Sequence, residues 1–205
     1  GAVGCYFGGM LARANQDVTF IARLERAKAL NEYGLDMDCK AFHETVKVKA
    51  SSDLALLRDA DLVLLCVKSL DTEQTLLEIK SILPNTAVLL SLQNGVANIE
   101  IASRTIGHRI YAAVVYVAAG MIGQRTMKHH GRGELLIGSL GNITADDQEN
   151  LEGIRHLFEA ANVPCLITSQ IKRDMWLKFL VNCSFNAISG IGQIPYGEMV
   201  KSPEI

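Results

Sequence analysis

Asp61-Leu-Val-Leu-Leu-Cys-Val67, Ala87-Val-Leu-Leu-Ser-Leu92 and Ile110-Tyr-Ala-Ala-Val-Val-Tyr-Val117 are continuous apolar runs of strand length. Strands that alternate polar and apolar residues face water on one side. Strands apolar throughout are covered on both faces. Residues 71–82 and 96–104, which lie between the runs, read as helices. Buried strands alternating with helices predict a doubly wound α/β sheet whose core strands run parallel.

Working outward, helical pattern runs from the first residues to about Asn15, then a short strand from Asp17 to Ala22, then a helix over 24–33. Residues 34–50 alternate in places and suggest a hairpin with Val46-Lys-Val-Lys-Ala50 as one arm. A second hairpin-like excursion covers 121–138, a helix 146–161 and a last strand Val163–Thr168. The domain boundary falls near residue 168. Residues 1–168 form the α/β domain and 169–205 begin a helical one.

The chain has 205 residues, 49% of them hydrophobic, and a formal net charge of -2, enough for one full core and part of another. With no basic run, nucleic acid is not the expected partner. No apolar run reaches a membrane span. Cys5, Cys39, Cys66, Cys165 and Cys183 form no C-x-x-C pair, which fits reduced thiols and a cytoplasmic protein. His129 and His130 are neighbours on an expected strand, face opposite ways, and make a poor metal chelate.

Two features carry chemistry. The first is Gly1-Ala2-Val3-Gly4 opening a helix, with a strand after it, which matches the end of a dinucleotide fingerprint. The first glycine and first strand of that pattern would precede residue 1. Gly1 would let the backbone approach a pyrophosphate, and Gly4 would let the helix pack closely. Where an NAD site carries an acid, at the end of the second strand, this chain has Arg23. It suits a 2'-phosphate, so NADP is expected, although a solvated strand-end arginine explains it too. Lys68 and Asn94 follow the next two strands, at the edge where ligands bind in open α/β sheets.

The second feature is Asp174-Met-Trp-Leu-Lys178-Phe-Leu-Val-Asn182-Cys-Ser-Phe-Asn186. Positions four apart drift by only about 40° on a helix, so Lys178, Asn182 and Asn186 form a polar stripe. The remaining residues are apolar almost all round, which predicts a buried helix. Buried lysine and amides need polar company, and an anionic molecule with carbonyl and hydroxyl groups supplies it. The plain alternative is an i,i+4 surface pair of Asp174 with Lys178, and amides that cap backbone groups.

Gly1-Ala-Val-Gly4-x-Tyr-Phe-Gly8, Phe20-Ile-Ala-Arg23, Cys66-Val-Lys68, Leu92-Gln-Asn-Gly-Val96 and Trp176-x-Lys178-x3-Asn182-x3-Asn186 occur in this order, with Pro195-Tyr-Gly-Glu198 after them. Together they resemble the ketopantoate reductase (2-dehydropantoate 2-reductase) family over essentially the whole chain. The resemblance implies a Rossmann-like NADPH-binding domain followed by a helical C-terminal domain. It implies reduction of the ketone of 2-dehydropantoate to (R)-pantoate, in pantothenate biosynthesis. Lys178 would be catalytic, with Asn182 and Asn186 on the substrate. Gly1, Ala2, Val3, Gly4, Arg23, Lys68 and Ala118 would contact the cofactor, and Asn94 would lie between nicotinamide and substrate. A serine and a glutamate of the family would lie beyond Ile205. Tyr196 stands where relatives often carry Asn. Reduction of another branched 2-keto acid, and a non-catalytic NADP-binding regulator, stand as alternatives. Oligomeric state is not legible, with a homodimer one arrangement open to it.

Overall fold

The computed structural model describes residues 1–194, 196–199 and 201. The elements follow in order: α1 (Ala2–Arg13), β1 (Thr19–Ile21), α2 (Leu24–Tyr33), β2 (Leu35–Cys39), β3 (His43–Val46), β4 (Lys49–Ser51), β5 (Leu62–Leu65) and α3 (Thr72–Ile79). Then come β6 (Val88–Ser91), α4 (Ala97–Ile106), β7 (Arg109–Ile122), β8 (Thr126–Gly138), α5 (Ala145–Ala160), β9 (Cys165–Ile167), α6 (Ile171–Gly192) and α7 (Tyr196–Met199). Short 3-10 turns at Leu54–Asp59 and Ser69–Asp71 flank β5.

The fold is α/β and Rossmann-like, with the expected parallel core. β5, β6 and β7 pair in parallel, Leu65 opposite Ser91 and Ser91 opposite Ala112. The sheet order is β3-β2-β8-β7-β6-β5, with β9 paired to β8. β7 turns back antiparallel into β8, so the 121–138 excursion is a long hairpin, and the sheet is mixed beyond β7. β1 and β4 form a separate parallel pair.

Helices cover both faces because their apolar residues recur at helical spacing. Ile99, Ala102 and Ile106 are the buried apolar side of α4, and Leu76 and Ile79 that of α3. Leu76, Ile79, Ala102 and Ile106 meet Leu65 and Leu89 on one face, while Ile99 packs with Ala112 and Val114 of β7. On the other, α1 and α5 pack Phe7, Leu151 and Phe158 against Leu90, Tyr111 and Ile137. Thr144 and Asp147 form a reciprocal cap that starts α5. Close packing is steric at Gly4, where a Cβ would stand 3.2 Å from the Cβ of Cys66.

Two expectations need correction. Val46–Ala50 is not one hairpin arm. It divides between β3, which pairs with β2, and β4, which pairs with β1. Lys47 and Val48 carry the chain from one sheet to the other. The predicted buried helix is also not buried among the described residues. In α6 only Ile171 and Met175 are buried, while Trp176, Leu180 and Ile191 are 52%, 64% and 87% exposed. An apolar pattern shows what burial would stabilise. Neighbouring elements decide whether it occurs, and the main contacts of α6 are with β7, β8 and the short α7. No described helix is long and apolar enough to cross a membrane.

Candidate active site

The parallel register builds the site. Asn94 and Val115 each lie three residues beyond the last matched pair, Ser91 opposite Ala112. They therefore stand side by side past the carboxyl end of β6, the edge where open α/β sheets hold ligands. The first turns of α6 pack Ile171 and Met175 onto Ala112 and Val114 of β7. One turn further, this brings Lys178 over the same edge. Its Nζ donates to Asn94 Oδ1 at 2.9 Å and to the carbonyl oxygen of Val115. It also lies 5.5 Å from the centre of the Tyr116 ring. Burial first, and the Arg132 guanidinium second, push the Lys178 ammonium pKa down to about 8. An ammonium has three donors. Two are taken by Asn94 and Val115, which leaves one for a ligand in the cleft lined by Gln93, Asn94, Lys178, Phe179 and Asn182.

The other candidates fall at different places. Asn182 lines this cleft half-buried, whereas Asn186 is exposed one turn beyond it and does not. Gly1 precedes α1 as its N-cap, Ala2 and Val3 form its first turn, and no side chain caps that end. Arg23 and Lys68 are exposed and occupy the N-cap positions after β1 and β5. Ala118 is exposed on β7 opposite Gly131. Pro195 lies outside the described residues. Tyr196 starts α7, its ring 5.8 Å from that of Phe185 on α6. His129 stacks on Tyr6 at 4.6 Å. No cluster of three metal-ligating side chains occurs among the described residues.

The sequence reading missed the support behind Asn94. Thr72, Ser91, Gln93 and Asn98 are the buried polar side chains among the described residues, and they form one network. Gln93 Nε2 donates to the Val67 carbonyl at 2.9 Å and to Thr72 Oγ1 at 2.7 Å. Asn98 Nδ2 donates to the Asn94 carbonyl at 2.7 Å and to Ser69 Oγ at 2.9 Å. Ser91 Oγ donates to Gln93 Oε1 at 3.2 Å. The network ties the turns after β5 and β6 together and fixes the backbone from which Asn94 reaches Lys178. Its signal was present in Ser91-Leu-Gln-Asn-Gly-Val-Ala-Asn98, where the polar residues recur inside an apolar context.

Comparison with known proteins places this architecture in a class of oxidoreductases. The family model described as "Ketopantoate reductase PanE/ApbA" matches residues 1–142, and its C-terminal counterpart matches residues 170–205. The chain belongs to the ketopantoate reductase family. A 2-dehydropantoate 2-reductase of Pyrococcus horikoshii is 31% identical over 201 residues, covering 96% of this chain and 63% of the relative. The chain thus spans a little under two thirds of that relative's length. A crystal structure of a PanE/ApbA family ketopantoate reductase from Ralstonia eutropha JMP134 superposes with a TM-score of 0.87 at 43% identity, covering 99% of this chain and 65% of that one. A D-mandelate dehydrogenase with NADH and anilino(oxo)acetate shares the fold, with a TM-score of 0.87 at 22% identity over 99% of this chain and 65% of its own.

Proposed function

We propose that the full-length protein reduces 2-dehydropantoate to (R)-pantoate with NADPH, a step of pantothenate biosynthesis, with Lys178 as the general acid. The observation that carries this reading is the Lys178 ammonium held between Asn94 Oδ1 and the Val115 carbonyl beyond the sheet edge. The family's named relatives support the substrate.

The residues present suit the cofactor. The uncapped start of α1, with no acid in its first turn, favours a pyrophosphate near Gly1, Ala2, Val3 and Gly4. Arg23 and Lys68 supply two cations for the 2'-phosphate end, and Ala118 presents no bulk on the β7 edge. Bound NADPH would supply the hydride that reduces the keto carbon. The third Lys178 donor points its charge at the keto oxygen as negative charge grows there, and then gives up its proton. A pKa of about 8 keeps Lys178 mostly protonated at neutral pH while making it a better acid than an exposed lysine. Asn94 fixes the ammonium, and Asn182 offers an amide that both donates and accepts, which suits a hydroxy acid. Asn186 would reach the substrate only where the ligand extends along α6.

The test is oxidation of NADPH by the full-length protein with 2-dehydropantoate, alongside pyruvate and other branched 2-keto acids. Marked preference for 2-dehydropantoate is the expected outcome. Turnover confined to a different keto acid replaces the substrate and keeps the mechanism. Tight NADPH binding with no turnover on any of them overturns the reading in favour of a regulator.

A further inference from the structure

Gly131, Arg132 and Gly133 have φ of 143°, 61° and 148°, three consecutive residues on the positive side in the middle of β8. Register slips on both sides of this stretch. Tyr116 faces Glu134 and Val117 faces Arg132, so Gly133 has no partner. Ala118 faces Gly131 and Ala119 faces His129, so His130 has none. Paired bulges of this kind re-aim a side chain and concentrate beside functional sites. A left-handed arginine stores strain that a random surface position has no reason to keep. Glycine is required at 133 because a Cβ there would stand 2.2 Å from the Tyr6 hydroxyl.

The strained stretch aims the Arg132 guanidinium onto Tyr116, its Cζ 4.3 Å from the ring centre. Lys178 Nζ lies over the same ring. Arg132 Nε is held by Glu134 Oε2 at 3.2 Å, and that oxygen also accepts from the Gly133 N–H. The two terminal nitrogens of Arg132 make no hydrogen bond among the described residues, which leaves a fork free for an oxyanion. Two cations sharing one ring repel each other, and an anion seated between them relieves that repulsion. In a 2-keto acid the carboxylate is bonded directly to the keto carbon. A substrate whose keto oxygen meets Lys178 therefore carries its carboxylate only a bond further on.

We infer that Arg132 is the carboxylate anchor of the 2-keto acid, pairing with it through its free guanidinium fork while Lys178 faces the keto oxygen. This rests on the reductase reading above and assigns the specificity for an acid over a neutral ketone.

The experiment is steady-state kinetics of the full-length protein and its Arg132→Gly variant on the 2-keto acid and on the matching 2-keto amide. Glycine accepts φ of 61° without strain, so the variant keeps the hairpin. For the acid, KM should rise by about 10- to 100-fold, the range for a lost hydrogen bond to a charged group. The KM for the amide should be little changed by the substitution, and added guanidinium ion should restore part of the acid's KM. NADPH affinity should stay within about twofold on the same account. Equal losses on acid and amide would overturn the inference, because the carboxylate would then not be what Arg132 senses. A loss of NADPH affinity matching the loss in KM would overturn it in favour of a cofactor phosphate. Wild-type protein inactive on every 2-keto acid sinks the reductase reading itself, whereas an active wild type matched by its variant sinks only the role of Arg132.

Discussion

β6 and α6 look alike in the sequence and differ in the fold. β6 reads Val-Leu-Leu-Ser, and α6 carries apolar residues such as Met175, Trp176, Leu177, Phe179, Leu180 and Val181 round most of its surface. All four residues of β6 are buried, because β5 and β7 flank it and α3 and α4 cover one face while α1 lies across the other. Of the 22 residues of α6, only Ile171 and Met175 are buried. Apolar character is a property of the residue, and burial belongs to the arrangement. The difference also separates two tasks. The sheet holds the molecule together, while α6 brings one side chain, Lys178, to the sheet edge.

The sharpest test of that division is Lys178→Ala in the full-length protein. Loss of a general acid should lower kcat by about 10²- to 10⁴-fold and leave NADPH binding nearly unchanged. Turnover near that of the wild type removes α6 from the chemistry. Next comes the burial contrast. In the 205-residue chain Leu89→Ala should cost about 2–5 kcal/mol of stability, and Leu180→Ala should stay within about 0.5 kcal/mol. Denaturant unfolding of both variants decides it, and similar losses would mean that α6 is packed after all.

Smaller effects probe the sheet edge. Arg23→Ala should weaken NADPH by roughly 10- to 100-fold, the scale of a hydrogen bond to a charged group, and NADH hardly at all. Direct binding of both nucleotides measures it, and equal weakening argues against a phosphate contact. Thr72→Val removes the hydroxyl that accepts from Gln93 and should cost about 1–3 kcal/mol. Thr72→Ser, which keeps the hydroxyl, should lose less than about 1 kcal/mol. If the two variants behave alike, the buried network contributes packing and little else.

The smallest effect concerns Lys178 itself. Its folded pKa of about 8 lies below the ordinary 10.5. Between those values the unfolded chain holds a proton that the folded chain has released. Folded stability therefore rises with pH across that window. Lys178→Met should melt a few degrees higher than wild type at neutral pH, with the gap closing as pH climbs toward 10. A gap independent of pH would show that Lys178 is not strained by burial in the folded protein.

Much of this was legible from residues alone. The apolar runs named the core strands, because a strand covered on both faces has no polar side to show. The stripe of Lys178 and Asn182 followed from helical spacing. Other features could not be read. Asn94 meets Lys178 across 84 positions, a contact set by strand register and by how α6 leans on β7. The network of Gln93 and Asn98 was not legible, since nothing local says that Thr72 and Val67 will lie within hydrogen-bond reach of Gln93. Gly131-Arg-Gly133 fell inside the expected hairpin of 121–138, and only the register of its pairing with β7 shows the bulge that aims Arg132.

The sequence by itself determined the alternation of buried strands and amphipathic helices, and with it the α/β class and the edge where a ligand belongs. It also singled out Lys178, Asn94 and Asn182 as candidates for chemistry. Tertiary structure alone decided which of them meet. The third Lys178 donor is free because register places Asn94 and Val115 side by side. Arg132 reaches the Tyr116 ring because β8 pairs with β7, and Asn186 stands outside the cleft because it lies one turn further along α6. Local spacing fixes the face of one element, whereas long-range pairing fixes the distance between two.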